Sequence, residues 1–566
     1  MLIFKKVCRQ TMQKRYVLLI IPLILYVALL GVLPQMEPDE ARYSLIASAM
    51  NETGNFVTPH IKSTIYLEKP PLVSWVTAVF FKIFGENDFS ARLFIGLCAW
   101  GCIVLTFFIG RRFRDERTGL YAAALLTVSV FPFVLGRINI LDMPLTLFIS
   151  LSVWFGYLSV SPGGRPYLSW LFYLSCALAF LTKGIIGVVF PFAILVLWLV
   201  WARRWRQILK LVSPAGIGIF LLVVTPWIYL AQRENADFLW FFFVREHFLR
   251  FTTQMHGKTE PFYYFVPIIL AGTLPWSIYL IRAWGHHFRT YVFQRDDNKL
   301  LAVWFLFIFL FYTASSSKLA PYIAPVFLPV ALWAGNLFRH ADEALPDLAG
   351  KRKIIYRTVL LLFFLIVLVA CLLPPFLKQY SDPSRGLVVM TSASWWLYIM
   401  PSLLAAGLMV FLPDRVARKK GTGWFFSIYL LSGLLLAGML FPLNDFLAPY
   451  RSALVVREAI ARHLPAGTPL YQYRVNFYGI DFYNRIRTPV VEDFGELIDG
   501  IAKMPPAERK KYFLTPVEFI EKVSGEKEVY CITQHQDKLK QLQWKYDSVD
   551  ILWENGAFYL LRIRNP

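Results

Sequence analysis

Long apolar runs recur along this chain, and they restrict the fold more than any other feature. A helix needs about 20 residues to cross roughly 30 Å of hydrocarbon. Runs of that size lie near 17–33, 90–110, 119–135, 141–160, 168–182, 184–201, 211–231, 263–282, 299–315, 320–338, 355–375, 395–412 and 424–441. They predict an α-helical polytopic membrane protein with about 13 transmembrane helices. Hydrophobic residues make up 57% of the chain and charged ones only 17%, a balance that argues against a soluble globular protein.

The net charge of +21 suggests nucleic acid at first, but its distribution argues otherwise. Basic clusters follow alternate spans: Lys5/Lys6/Arg9/Lys14/Arg15, Arg111/Arg112/Arg114/Arg117, Arg203/Arg204/Arg206/Lys210, Arg282/Arg289/Arg295, Lys351/Arg352/Lys353 and Arg415/Arg418/Lys419/Lys420. Positive loops stay in the cytoplasm, so most of the excess is topological and no nucleic-acid partner is expected. The N-terminus is expected inside, and an odd number of spans puts the C-terminus outside. The first apolar segment lacks a small-residue cleavage site and reads as an uncleaved signal anchor. The six cysteines show neither metal spacing nor a disulfide set.

With this topology the longer segments face outward, which is where a rigid scaffold carries binding and catalytic residues. Residues 1–441 read as the transmembrane unit, with long outer loops at 34–89 and 232–262. Residues 442–566 change character: "PLYQY", "KYFLT", "EVYCIT" and "FYLLRIR" are of strand length and alternate with helical patterns. They predict a small α/β domain outside the membrane. In the first loop, Tyr43, Ile46, Ala47 and Met50 recur at helical spacing and predict an amphipathic surface helix stopped at Gly54. "LVSWVTAVFFKIFG" (72–85) predicts a second one.

Candidate chemistry gathers at outer span ends. "MEPDEARY" places Asp39 at a helix start, as N-cap or catalytic acid, with Arg42 one turn on to pair with it or bind an anion. Tyr43 is a further substrate-contacting candidate. Lys69 in "YLEKPPL" is held beside two prolines, which suits a phosphate ligand as well as a snorkelling lysine. Asp142 in "ILDMP" reads as an N-cap or a functional carboxylate at membrane depth. Lys183 in "FLTKG" lies at an outer turn. Lys318 and Tyr322 in "SSSKLAPY" are four apart, on one face if helical. In the second loop Arg245, Glu246, His247, Arg250, His256 and Lys258 are interleaved with aromatics, and outward cations there point to an anionic ligand such as a phosphate. Glu246 and His247 give only a weak metal signal.

The motifs "EPDEARY", "YLEKPPL", "LDMP", "LTKG", "REHFLRF" and "SKLAPYIAP" together resemble bacterial members of the protein mannosyltransferase-like glycosyltransferases. Among these the chain is most similar to the lipid A aminoarabinose transferases, from the first span to about residue 340. The resemblance implies a GT-C fold in the bacterial inner membrane, with surface helices and a C-terminal domain on the periplasmic side. It implies a polyprenyl-phosphate sugar donor, 4-amino-4-deoxy-L-arabinose as the sugar and lipid A phosphate as acceptor, with membrane lipids around. Asp39 and Asp142 match the family's two acids. Lys69, Arg250 and Tyr322 match phosphate-holding positions, and Glu68 with His247 could hold a divalent metal or pair with each other. Transfer would invert the anomeric centre. A related transferase with another sugar and a hydroxyl acceptor stays open. A lipid-linked-sugar flippase is disfavoured, because its charges belong at the membrane midplane.

Overall fold

The structure is a computed structural model; it describes residues 19–249, 260–277, 295–339, 396–411, 422–439, 447–546 and 548–564, with short pieces between 358 and 369. The span expected at 355–375 therefore lies largely outside the described residues, as do residues 250–259 of the second long loop.

The apolar runs fold as helices, not always as single ones. In chain order α1 is Ile20–Val27, α2 Asp39–Thr53, α3 Leu72–Phe84, α4 Asp88–Phe113, α5 Glu116–Val128, α6 Val130–Leu135, α7 Asp142–Val160, α8 Pro166–Lys183, α9 Ile186–Trp201, α10 Pro214–Glu234, α11 Asp296–Ala314, α12 Phe327–Arg339, α13 Trp396–Phe411 and α14 Thr422–Gly438. Among the described residues, five stretches have the length and composition to cross a membrane: α4, α7, α10, α11 and Ala320–Arg339. The run at 119–135 is broken at Ser129, whose extended backbone (ψ 127°) separates α5 from α6. The run at 320–338 opens as a 3-10 helix, Ala320–Val326, with Pro321 in its first turn and Pro325 inside it. Proline removes the amide that a continuous α-helix needs there.

The amphipathic surface helix expected at Tyr43–Met50 is instead buried nearly all round. Alongside Ile46, Ala47 and Met50, the polar Glu40, Arg42, Ser44 and Ser48 are buried too. Its apolar side packs on α3, with which it makes close contact, and its other side meets the C-terminal region. Gly54, at φ 71°, ends it with the left-handed residue such a terminus needs. The start of α2 is fixed by an enclosed ion pair: Arg92 of α4 grips Glu40 with Nε–Oε1 2.8 Å and Nη2–Oε2 2.9 Å. Glu40 also accepts the amides of Met36 and Asn139, each at 2.9 Å. Removing one partner of such a pair costs about 3–5 kcal/mol, so the residue beside Glu40, Asp39, is held firmly in place.

The two-residue strands β1 (His60–Ile61) and β2 (Thr64–Ile65) form a hairpin whose turn residues, Lys62 and Ser63, both have positive φ, 48° and 66°. This is the tight turn that matches strand twist, normally made by Asn or Gly. Here the Lys62 ammonium is anchored on Asp481 (2.7 Å) and on Thr488.

The C-terminal residues build a six-stranded mixed sheet from β3 (Leu470–Tyr473), β4 (Val490–Val491), β5 (Phe513–Leu514), β6 (Glu528–Gln534), β7 (Val549–Glu554) and β8 (Phe558–Arg564), ordered β5-β4-β3-β6-β8-β7. The first three strands and β6 run parallel, while β8 is antiparallel to both β6 and β7. Helices α15 (Tyr478–Asn484), α16 (Pro506–Tyr512) and α17 (Pro516–Gly525) supply connections. Helix α15 docks against α2. Glu37 accepts the backbone amides of Tyr478 (3.2 Å) and Gly479 (2.5 Å), and a Cβ at 479 would collide with that carboxylate.

Candidate active site

Lys69 and Lys183 meet in a recess of about 420 Å³ that is largely apolar, walled by Ile185, Ile186, Val189, Phe243 and Phe311. Its polar lining comes from these two lysines with Glu68, Glu246, Tyr312, Ser315, Ser317 and Tyr322. Pro70 and Pro71 hold the backbone after Lys69, and Pro71 stands directly before α3. The Lys69 ammonium donates to the Glu68 carbonyl at 3.1 Å and sits 3.4 Å from Glu246 Oε2 and 3.7 Å from Glu68 Oε2. These are loose contacts, and a lysine has three donors, so the ammonium can turn towards an incoming anion. Lys183, the last residue of α8, is bound more tightly: its ammonium is 2.6 Å from Asp142 Oδ1 and 4.4 Å from the centre of the Tyr322 ring. Tyr322 in turn lies 5.2 Å from Tyr312.

Beside this recess stands a second cluster. The Arg42 guanidinium holds Asp39 (2.5 Å) with one nitrogen and Glu496 with another, and lies 5.5 Å and 5.6 Å from the centres of the Tyr43 and Tyr66 rings. The Tyr66 hydroxyl donates to Glu496 at 3.2 Å. Burial pulls the Arg42 guanidinium down, but Tyr66, Tyr43, Glu496 and Asp39 hold it well above its ordinary value. Arg42 is only 8% exposed while Asp39 is 59% exposed. The arginine is thus a fixed post, and the carboxylate on it is open to a ligand. Glu68 connects the clusters. Burial pushes its carboxyl up to about 7 against the pull of Lys69, and Glu496 and Glu246 add to the rise.

Several expected placements change. Asp39 is the first residue of α2, not its N-cap, and Asp142 is the first residue of α7 with no capping bond; its carboxylate goes to Lys183 instead. Lys318 and Tyr322 do not share a helical face, because the 3-10 turn begins only at Ala320. Lys318 is buried on the carbonyls of Ser315 (2.8 Å) and Glu260 (3.2 Å) and does not line the recess, whereas Tyr322 does. Arg250 and the side chain of His247 lie outside the described residues, so the pairing expected between Glu68 and His247 does too. Among the described residues no group of three or more His, Cys, Asp or Glu side chains is arranged to hold a metal ion. Glu68 and Glu246 both stand near the Lys69 ammonium, at 3.7 Å and 3.4 Å. Glu496 and Tyr66 are the site residues that sequence reasoning missed. Tyr66 is in the same "YLEKPPL" motif as Lys69, but Glu496 comes from the sheet region with no local signal of its own.

Comparison with known proteins agrees with this architecture. Residues 68–230 match the family model described as dolichyl-phosphate-mannose-protein mannosyltransferase. The undecaprenyl phosphate-α-4-amino-4-deoxy-L-arabinose arabinosyl transferase 2 of Pseudomonas fluorescens (strain Pf0-1) is 30% identical over 507 residues, 87% of this chain and 88% of the relative. The corresponding arabinosyl transferase of Pseudomonas paraeruginosa (strain DSM 24068 / PA7) is 30% identical over 426 residues, 69% of this chain and 75% of the relative. The crystal structure of ArnT from Cupriavidus metallidurans bound to undecaprenyl phosphate superposes with a TM-score of 0.79 at 22% identity, covering 97% of this chain and 98% of that one. Fold and site together define a membrane glycosyltransferase of the GT-C type. Within that class, the chain belongs to the family of the undecaprenyl phosphate-α-4-amino-4-deoxy-L-arabinose arabinosyl transferases.

Proposed function

We propose that the protein transfers 4-amino-4-deoxy-L-arabinose from undecaprenyl phosphate to a phosphate of lipid A, at the periplasmic face of the inner membrane. The names of its relatives support the donor, and the basic segments between alternate spans support the orientation. In this reading about 13 helices cross the membrane, and the two long loops and the C-terminal sheet lie in the periplasm. The reading rests above all on the recess of about 420 Å³, largely apolar in its lining and lined also by Lys69 and Lys183. A polyprenyl phosphate has the same division into a hydrocarbon chain and an anionic head.

In the reaction the bond between the sugar C1 and the donor phosphate oxygen breaks, and its electron pair leaves with the phosphate. Lys69 stabilises the charge that grows there, and Lys183 adds to the positive field; Glu68 and Glu246 keep the ammonium of Lys69 oriented until the phosphate arrives. Tyr322 fixes Lys183 from its other side. Arg250 is a further phosphate ligand in this reading. A lipid A phosphate oxygen bonds to C1 from the opposite face, which inverts the anomeric centre. That phosphate is already ionised at neutral pH, so Asp39, set by Arg42, orients the acceptor more than it removes a proton. Asp142 acts through Lys183.

The test is lipid A from cells with and without the protein, compared by mass spectrometry with the donor lipid present in both. Transfer adds the mass of one or two aminoarabinose units only where the protein is made. Identical lipid A in the two strains overturns the acceptor assignment.

A further inference from the structure

A second recess, of about 380 Å³, opens on the C-terminal sheet and shares no residue with the cleft just described. Four cations line it: Lys510 and Lys511 of α16, Lys522 of α17, and Arg487. Tyr471 and Tyr512 contribute rings to the same walls, and no carboxylate does. The acidic partners of these cations stand outside the recess: Glu518 at 3.8 Å from Lys510, Glu526 at 2.6 Å from Lys522, and Glu52 on Arg487. Lys511 has only the Tyr512 ring, 5.2 Å away, and no carboxylate partner among the described residues.

Cations of one sign in a concave site reinforce one another's field. Ammonium and guanidinium groups bind phosphate and carboxylate oxygens through charge-assisted hydrogen bonds. Tyr471 and Tyr512 are only 4% and 9% exposed, so the cations are what a ligand meets. We infer that this recess holds the anionic sugar headgroup of the acceptor glycolipid, beyond the phosphate that reacts. The donor is the poorer fit, because the ammonium of its aminosugar offsets the charge of its one phosphate. Arg487 ties the recess to Glu52 at the far end of α2, the helix whose first residue is Asp39. Thirteen residues of helix separate the two ends by about 20 Å. One rigid element thus joins the point of transfer to the point of headgroup capture.

This inference rests on the acceptor assignment above, and the test separates the two. Lys510, Lys511 and Lys522 are exposed, so the triple variant K510Q/K511Q/K522Q keeps the fold. In the purified protein the KM for lipid A is expected to rise about tenfold, while kcat and the KM for the donor lipid stay within about twofold. Wild type and variant should converge at high salt, where exposed charges are screened. Binding of the deacylated, phosphorylated glucosamine disaccharide should weaken by the same factor in the variant. Unchanged disaccharide binding and lipid A KM overturn the inference. So does inorganic phosphate displacing the disaccharide from wild type at equal concentration, because that describes a free-phosphate site. If wild type transfers nothing to lipid A, the acceptor assignment fails, and disaccharide binding still reports on the recess by itself.

Discussion

In the proposed reaction Asp39 and Lys69 divide the chemistry between an open carboxylate and a loosely held ammonium. With 59% of its side chain exposed, Asp39 can reach a ligand without any rearrangement, while its pairing to Arg42 keeps it from swinging away. Replacing it by Asn preserves shape and removes the charge. Purified D39N is expected to lose about 10²-fold in kcat with little change in donor affinity, measured as transfer from donor lipid to lipid A. A rate near wild type would remove Asp39 from the mechanism. Lys69→Met acts on the other partner and is expected to cost about 10²–10³-fold. At this scale the sequence was informative where a local constraint stood next to the charge. Lys69 is flanked by prolines, and Asp142 opens a span. Glu496 could not be found that way. Its meaning comes entirely from reaching Arg42 and Tyr66 across more than four hundred residues, and one sequence does not reveal such a pairing.

Elements show how the cleft edge is kept in place. Glu37, two residues before α2, accepts two amides at the start of α15, and so couples the first long loop to the C-terminal region. Burial pushes its carboxyl from about 4.5 up to about 8, against the pull of those two amides. The fold therefore binds this proton more tightly than the unfolded chain does. Its contribution to stability is complete below about pH 4.5 and is lost as pH rises towards about 8. Glu37→Gln, which stays neutral, is expected to flatten this dependence. Thermal unfolding of the detergent-solubilised protein at pH 5, 6.5 and 8 reads it, and equal slopes in wild type and variant would show that Glu37 is not the titrating group. Helix α2 also marks a limit of pattern reading. The spacing of Tyr43, Ile46, Ala47 and Met50 identified the helix, but not that Glu40, Arg42, Ser44 and Ser48 on its other faces would be covered as well. That cover comes from distant parts of the chain. Breaks such as Ser129 fall inside runs that hydropathy alone treats as continuous.

Across the whole molecule, the two long loops and the residues before them are tied to the C-terminal region at many points. Lys62 meets Asp481, Arg42 meets Glu496, the Gln35 amide donates to the Tyr483 hydroxyl at 2.7 Å, and the second loop adds Arg245–Asp499 (2.5 Å) and Lys503–Asp237 (2.7 Å). The sheet region therefore works as a clamp over the cleft, which also explains why a glutamate from it completes the Arg42 cluster. Within that clamp the Lys62–Asp481 pair is almost fully enclosed, each side chain 1% exposed. Breaking one half leaves a buried charge without compensation, at a cost of about 3–5 kcal/mol, whereas replacing both halves with apolar side chains of similar volume is often neutral. Asp481→Asn is thus expected to lower the thermal midpoint and reduce transfer, although residue 481 touches neither Lys69 nor Asp39. The double variant K62M/D481L should recover most of the midpoint. It should also recover transfer, provided that docking of the sheet region is what the pair supplies. A double variant that regains stability but stays inactive would mean that the charges themselves serve the reaction. Recovery of both properties together would identify the pair as a clasp that holds the catalytic edge closed by its fit rather than by its charge.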